Sequence, residues 1–137
     1  MTLVDTNVIL DVLTRDSEWF EWSAAQLHRR RDVGQLSINE IGYAEVAVRM
    51  DSEADLQFAL GELGIVLERT PTPALFLAGK AFRRYRRAGG PRLAILPDFF
   101  IGAHARTARL VILTRDARRY RTYFPDVELI TPEGGSP

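Results

Sequence analysis

Residues 110–116 have the sequence Leu-Val-Ile-Leu-Thr-Arg-Asp, and this stretch predicts the fold class. Its four apolar residues are consecutive rather than alternating with polar ones, which is typical of a strand covered on both faces of a parallel sheet. Residues 2–5, Thr-Leu-Val-Asp, show the same order of a short apolar run that ends in an aspartate. Two short buried strands, each followed by an acidic residue, are therefore predicted.

The rest of the chain alternates between short strand candidates and longer helical segments. The other strand candidates are Gln35–Ile38, Ile65–Leu67 and an edge strand at Val127–Ile130. Helical spacing or capping signals predict helices over residues 6–14, 17–31, 39–50, 52–63, 72–88 and 97–108, and a short helix after Asp116. Helical segments between strands indicate crossover connections. The predicted fold is a three-layer α/β/α arrangement with a mostly parallel central sheet, formed by one domain over residues 1–131, with residues 132–137 as a flexible tail.

Composition excludes several classes of protein. The 137 residues suit one domain, and the chain has no cysteine, so it has no disulfide framework, cysteine-ligated metal or cysteine nucleophile. No apolar stretch approaches the roughly 20 residues of a membrane span. Asp5 and Asp11 interrupt the first apolar run, which argues against a signal peptide. We therefore expect a cytoplasmic protein without a membrane partner.

A formal net charge of zero conceals a strong segregation of charge along the chain. Residues 1–68 contain 5 basic and 13 acidic residues, whereas residues 69–121 contain 13 basic and only 2 acidic ones, Asp98 and Asp116. Such a basic block indicates either attraction to nucleic acid or a solvated helix face rich in arginine. The charge pattern does not choose between these two interpretations.

Four acidic residues lie where a parallel sheet would bring them together. Asp5 and Asp116 follow strands, Asp98 begins a helix, and Glu45 lies in the helix after the second strand. Ligands of open parallel sheets bind at the carboxyl ends of the strands, and oxygen-only ligands select Mg²⁺ or Mn²⁺. A structural alternative stays open for each acid, because Asp is also a favoured helix cap and a helical glutamate commonly points outward. Asp11 is expected at the surface.

Four stretches of the chain resemble, in order, the motifs of the PIN-domain ribonucleases, specifically the VapC toxins of bacterial toxin–antitoxin pairs. The four stretches are residues 3–11 (LVDTNVILD), 38–46 (INEIGYAEV), 96–105 (LPDFFIGAHA) and 113–120 (LTRDARRY), and residues 123–126 and 130–132 resemble the usual ending. The resemblance implies an endoribonuclease that uses Mg²⁺ or Mn²⁺ and leaves a 5′-phosphate. It also implies a VapB-type antitoxin partner and a homodimer.

The resemblance implies that Asp5, Glu45, Asp98 and Asp116 surround the metal. Asp5 and Asp98 are the expected direct ligands, while Glu45 and Asp116 act directly, through water or on a second ion. If Glu40 only begins its helix, Glu45 alone faces the site.

The neighbouring residues have supporting roles in this prediction. Asn7 and Thr114 are expected to orient the acids or a water molecule by hydrogen bonds. Arg115 is expected either to contact phosphate, to pair with an acid or to lie on the surface. The residues predicted to attract the RNA backbone are Arg83, Arg84, Arg86, Arg87, Arg115, Arg118, Arg119 and Arg121.

Three further predictions concern packing and partners. Gly102 is expected to let its helix approach a neighbour closely, and His104 is expected to be a packing residue rather than a base. Trp19, Phe20 and Trp22 are expected to form a partner-binding patch.

Two other classes of function remain as alternatives. A phosphohydrolase could use Asp5 as a covalent nucleophile, although Asn7 stands where such enzymes usually have a second Asp and the only lysine, Lys80, is in a helix. A non-catalytic binding module would lose nothing on substitution of Asp5 by alanine.

Overall fold

The computed structural model describes residues 1–90 and 96–132 and has a five-stranded sheet. The sheet order is β3-β2-β1-β4-β5, and every neighbouring pair of strands is parallel. The strands are β1 (Thr2–Val4), β2 (Leu36–Ile38), β3 (Ile65–Leu67), β4 (Val111–Leu113) and β5 (Leu129–Ile130). The predicted parallel α/β/α fold is therefore confirmed, and the two strands that end in acidic motifs, β1 and β4, are neighbours at the centre.

Each helical segment predicted from the sequence is a helix in the structure. The helices are α1 (Thr6–Leu13), α2 (Phe20–Val33), α3 (Glu40–Ala47), α4 (Glu53–Leu63), α5 (Thr72–Arg87), α6 (Leu96–Ala108) and α7 (Arg118–Tyr123). The second helix starts later than the predicted Ser17, because the Asp16 carboxylate accepts the backbone N–H groups of Glu18 and Trp19 and forms a turn there. Of the predicted C-terminal tail, residues 133–137 lie outside the described residues.

Side-chain alternation along the strands separates two hydrophobic cores. Leu3 and Ile112 pack with α5, α6 and α7 on one face of the sheet, whereas Val4 and Leu113 pack with α1 to α4 on the other. Successive strand residues point to opposite faces, so three-residue strands supply both cores. Among the described residues, no helix is long and apolar enough to cross a bilayer.

Gly102 is the point at which α6 approaches the segment after α7 most closely. A Cβ atom at this position would overlap the ring of Phe124, which is itself 1% exposed. We expect Gly102→Ala to lower the free energy of unfolding by about 1–3 kcal/mol, because neither the backbone of α6 nor the buried ring of Phe124 can move aside to make room for a methyl group without strain. Urea denaturation measures the change.

Gly79 in α5 is the matched control, because a Cβ atom there meets nothing within 4 Å. Gly79→Ala should raise stability by up to about 1 kcal/mol through helix propensity. Equal effects at the two glycines would contradict the close approach at Gly102.

Candidate acidic site at the carboxyl edge of the sheet

The central strands deliver two of the predicted acids to one edge of the sheet. Asp5 follows β1 and is the N-cap residue of α1, and its backbone N–H donates to the carbonyl oxygen of Leu113 at 2.9 Å. Thr114 and Asp116 continue directly from β4. Because β1 and β4 are parallel neighbours, the loops that follow them meet.

Asp5 is buried, with 6% of its surface exposed, and is held by two hydroxyl groups. Thr114 Oγ1 donates to its Oδ2 at 2.8 Å, and the hydroxyl of Tyr120 donates to the same oxygen at 2.9 Å. Burial nevertheless raises the pKa of Asp5, and the charge of Asp116 adds to this shift. The two hydrogen bonds therefore stabilise the ionised form of Asp5, but they do not fully offset the cost of burying its charge.

Glu45 reaches the same region from α3. The hydroxyl of Thr6 donates to Glu45 Oε1 at 2.9 Å. Burial raises the pKa of Glu45, and the nearby charge of Asp5 raises it further. Glu40 is turned elsewhere, because its Oε1 accepts the backbone N–H and the hydroxyl of Thr70 at 2.8 and 2.7 Å. Glu45 is therefore the glutamate of the pair that lies with Asp5.

Asp98 lies in the first turn of α6, and its pKa is also raised. Burial is the main cause, and the charges of Asp5, Glu45 and Asp116 add to it, so the pKa of Asp98 rises to about 7. Arg119 opposes the shift, with its Nη1 4.0 Å from Asp98 Oδ2, and its effect is larger than that of Glu45 or Asp116 but does not cancel the effect of burial. The charges of Asp5, Glu45 and Asp116, which come from three other segments of the chain, thus all act on Asp98.

Asp116 occupies the rim of this group. Its side chain is 46% exposed, and Arg118 donates from Nε to Oδ1 at 3.0 Å and from Nη2 to Oδ2 at 2.9 Å. The hydrogen bonds from Arg118 lower the pKa of Asp116. Asp116 is thus paired with an arginine at hydrogen-bond distance, whereas Asp98 has Arg119 at 4.0 Å.

The donor chemistry of the site fits a hard divalent cation, but the spacing is not yet that of a closed metal site. The converging groups are all carboxylates, and their mutual repulsion is the kind that a cation relieves. Within residues 1–90 and 96–132, however, no three Asp, Glu or His side chains are already grouped to hold an ion. The ligand set predicted from the sequence therefore stays a prediction.

Asn7 and Thr114 form a small network behind the acids. Asn7 Nδ2 donates to Thr114 Oγ1 at 3.3 Å, and the backbone N–H of Arg115 donates to Asn7 Oδ1 at 3.3 Å. Thr114 Oγ1 in turn accepts the backbone N–H of Asp116 at 3.1 Å. These contacts are those expected of residues that orient Asp5 and Asp116.

The expected surface position of Asp11 is wrong. Asp11 is 2% exposed and accepts hydrogen bonds from Arg115 Nε at 2.7 Å, Arg115 Nη2 at 2.9 Å and the hydroxyl of Ser23 at 2.7 Å. Of the three alternatives for Arg115, the structure therefore favours pairing with an acid. Spacing along α1 placed Asp11 beside Asn7 but carried no information about the loop after β4 that covers it.

The three residues of the predicted aromatic patch, Trp19, Phe20 and Trp22, are half-buried and make contacts within the chain, and their role in partner binding stays a prediction. Trp19 lies in edge contact with Trp22, and the Arg115 guanidinium is 5.3 Å from the centroid of Trp19. Phe20 has the guanidinium of Arg15 over its ring at 5.3 Å. His104 is 2% exposed and its Nδ1 lies 3.4 Å from Asn39 Nδ2, as a packing residue should.

An arginine-rich surface adjoins the acids at the end of α5. Arg83, Arg84, Arg86 and Arg87 are exposed. Tyr85, between them, packs against Phe99, the neighbour of Asp98, and its ring has the Arg119 guanidinium 5.9 Å from its centroid. Through Tyr85, the arginine-bearing end of α5 therefore packs against the start of α6, where Asp98 lies.

Three contributors to the site were missed in the sequence. Thr6 binds Glu45, Tyr120 binds Asp5, and Ser23 binds Asp11. Thr6 could have been found as the residue next to Asp5. No local signal marks Tyr120 or Ser23, because each reaches its partner through tertiary packing.

An all-parallel α/β/α fold with carboxylates converging beyond its central strands defines the structural class. Within that class, the chain belongs to the PIN domain family, which it matches over residues 2–125. PIN domains are nucleases, so the chain is assigned to the nucleic-acid-cleaving hydrolases.

Solved structures with a similar fold include chains of VapBC and FitAcB and of a toxin–antitoxin complex from Klebsiella pneumoniae. A chain of VapBC2 from Rickettsia felis, bound to a promoter DNA fragment, has 14% identity and a TM-score of 0.68, with 96% of this chain and 98% of that chain covered. A chain of DNA-bound VapBC from Salmonella typhimurium has 17% identity and a TM-score of 0.68, covering 95% and 96%. A chain of FitAcB from Neisseria gonorrhoeae has 24% identity and a TM-score of 0.60, covering 94% and 96%. A comparison with curated proteins found no match.

Proposed function

We propose that this chain is a metal-dependent endoribonuclease and the toxin of a toxin–antitoxin pair. The observation that carries the proposal is the placement of Asp5 beside the loop that continues from β4, where Thr114 Oγ1 donates to Asp5 and accepts the backbone N–H of Asp116. Burial, together with the charges of Asp5, Glu45 and Asp116, raises the pKa of Asp98, which agrees with this placement. Family membership, the adjoining arginine surface and the similar chains in VapBC and FitAcB complexes support it.

Asp5 and Asp98 are the proposed direct ligands of Mg²⁺ or Mn²⁺, with Glu45 and Asp116 acting directly or through water. The bound ion would lower the pKa of a water molecule and offset the charge that develops on the phosphate. Thr114 and Tyr120 fix the orientation of Asp5 through Oδ2, and Thr6 fixes Glu45. The protein thereby holds its acids in place before RNA arrives.

The arginine surface would bind the RNA backbone without choosing its sequence. Phosphate contacts position a nucleic acid, whereas base contacts specify it. Arg119 contacts both Asp98, at 4.0 Å, and the ring of Tyr85 in α5, at 5.9 Å from its centroid, so an RNA backbone bound to the α5 arginines would reach the acids by way of Arg119. Arg118 is paired with Asp116, and it would have to leave this ion pair to contact an RNA phosphate.

Cleavage of a defined single-stranded RNA with Mg²⁺, with Mn²⁺ and with EDTA tests the proposal. We expect cleavage with either metal and none with EDTA, and restoration when excess Mn²⁺ is added back. Equal cleavage in all three conditions, or none in any, would refute a metal-dependent endoribonuclease. A DNA strand of the same sequence distinguishes ribonuclease from general nuclease activity.

Replacement of Arg83, Arg84 and Arg87 by glutamine is expected to weaken RNA binding. Each lost phosphate contact should lower the slope of log affinity against log salt by about 0.7, so the triple variant should lose about 2. Filter binding or anisotropy across a salt series measures this. Arg29 and Arg49, also exposed but outside the basic block, provide the control when both are changed to glutamine. An unchanged slope in the triple variant would exclude this surface as the RNA path.

The proposed partners are a VapB-type antitoxin and a second copy of the chain. Phe76 and Leu75 at the start of α5 are 70% and 40% exposed, and a protein partner would cover such an apolar pair.

If the chain is a toxin that cleaves RNA in the cytoplasm, its expression should arrest the growth of the cells. Co-expression of the product of the adjacent gene should relieve the arrest. Growth without arrest would argue for a nuclease with another role.

A further inference from the structure

We infer that Asp11 and Arg115 form a positioning clamp that fixes the loop after β4, and with it the acidic site. The inference rests on the proposed nuclease function, because it assigns the clamp to the same carboxylates. Arg115 is then a residue that acts through Thr114 and Asp116, and not one that binds RNA.

The clamp joins elements that are distant in the sequence. Arg115 presents two donors to the two carboxylate oxygens of Asp11, Nε to Oδ2 and Nη2 to Oδ1. Ser23 of α2 donates a third hydrogen bond to Oδ2, and the indole of Trp19 lies against the guanidinium. Two parallel donors on a buried carboxylate hold an arginine in one orientation, which a lysine could not match.

The clamp is connected to Asp5 by consecutive contacts. The backbone N–H of Arg115 donates to Asn7, and the side chain of Asn7 donates to Thr114. Thr114 binds Asp5 and also accepts the backbone N–H of Asp116. Thr114 is therefore held by Asp5, and the next residue, Arg115, is held by Asp11.

The same geometry argues against a direct RNA contact by Arg115. Its side chain is 29% exposed, and the carboxylate it binds is 3% exposed, so a phosphate would have to displace a buried partner. An arginine that contacts RNA should raise KM when removed, whereas an arginine that positions the acids should lower kcat and the affinity for metal.

Four variants test the clamp: Arg115→Gln, Arg115→Lys, Asp11→Asn and the double variant Asp11→Asn/Arg115→Gln. The matched control is Arg106→Gln, which removes one donor from an exposed ion pair, Arg106 with Asp126, away from the acids. Mn²⁺ affinity is measured by calorimetry, RNA cleavage by kcat and KM, and the backbone amides of residues 115 and 116 by hydrogen exchange without metal. Arg115→Lys keeps the charge and guards against loss of folding in the glutamine variant.

We expect each single variant to weaken Mn²⁺ binding and lower kcat by about 10- to 100-fold, with KM for RNA changed by less than about twofold. Exchange at residues 115 and 116 should accelerate about tenfold, since their hydrogen bonds depend on the loop being fixed. The double variant should be no worse than the worse single variant, because the two residues act as one unit. Arg106→Gln should change none of these quantities.

A raised KM with normal kcat would overturn the clamp in favour of RNA contact, and unchanged exchange with additive effects would overturn it altogether. The failure of the nuclease proposal is distinguishable from both. If the native chain cleaves no RNA with any metal, the nuclease proposal fails, while hydrogen exchange and calorimetry still decide whether Arg115 fixes the loop.

Discussion

Asp5→Asn should reduce metal-dependent RNA cleavage by about a thousandfold. Asparagine keeps the size of the side chain but removes the charge at the end of the central strand, where the proposed cation would bind. A thousandfold slower cleavage corresponds to the loss of several kcal/mol of transition-state stabilisation. Single-turnover cleavage at saturating Mn²⁺ measures it.

The fold should survive this substitution. Burial raises the pKa of Asp5, so the ionised carboxylate is not favoured by its surroundings, and Asn lacks that cost. Thermal unfolding without metal should therefore show equal or higher stability in the variant. Asp126→Asn is the control, because Asp126 is 58% exposed and lies on the amino side of β5. Cleavage by Asp5→Asn at the native rate would exclude Asp5 from the catalytic machinery, whereas no cleavage by either the native chain or the variant would favour a non-catalytic binding module.

Asp98→Asn should make the metal-free protein more stable at pH 8 while it abolishes cleavage. The pKa of Asp98 is about 7 in the folded protein and 3.8 in the reference state. A shift of this size would correspond to about 4 kcal/mol, and we expect about 2 kcal/mol because the side chain is one-third exposed. Residues that serve a functional site commonly lower the stability of the folded protein in this way.

The pH dependence follows from the direction of the shift. Below pH 3.8 both folded and unfolded chains carry a protonated Asp98, so the native residue costs nothing and the variant gains nothing. Between pH 3.8 and 7 the unfolded chain releases its proton first, and stability of the native protein falls as pH rises. Above pH 7 the full penalty is present. Urea denaturation at pH 4, 6 and 8 should show the gain growing with pH.

Mn²⁺ should reverse this order of stability. A cation that binds only the folded native protein at one hundred times its Kd adds about 2.7 kcal/mol, whereas Asp98→Asn should gain little. A variant that is less stable than the native protein at pH 8 without metal would contradict the repulsion assigned to Asp98. A gain of equal size at pH 4 would show that the effect is unrelated to ionisation.

The comparison of prediction with structure is clearest at residues 110–116. The apolar run predicted a buried strand, and the acid after it predicted a place at the carboxyl edge, because both depend on local sequence and on the geometry common to parallel sheets. Asp11 shows the opposite case. The prediction placed Asp11 correctly in a helix but wrongly at the surface, because the loop that buries it lies about one hundred residues away in the chain.

Tyr120 and Glu45 show the same division within the site. Helical spacing alone left Glu45 free to point outward, and the structure turned it inward through Thr6. The Tyr120 hydroxyl finds Asp5 only because α7 packs over the end of β1.

Local sequence was enough for the alternation of strands and helices and for the family motifs, and it named the acids as candidates, since hydrophobic periodicity and residue chemistry act over a few positions. The sheet order, the pairing of Asp11 with Arg115, the pKa of Asp98 and the nearness of the arginine surface came only with the folded chain. Each of these depends on side chains separated by many residues, and burial and Coulomb energy are set by distance in space.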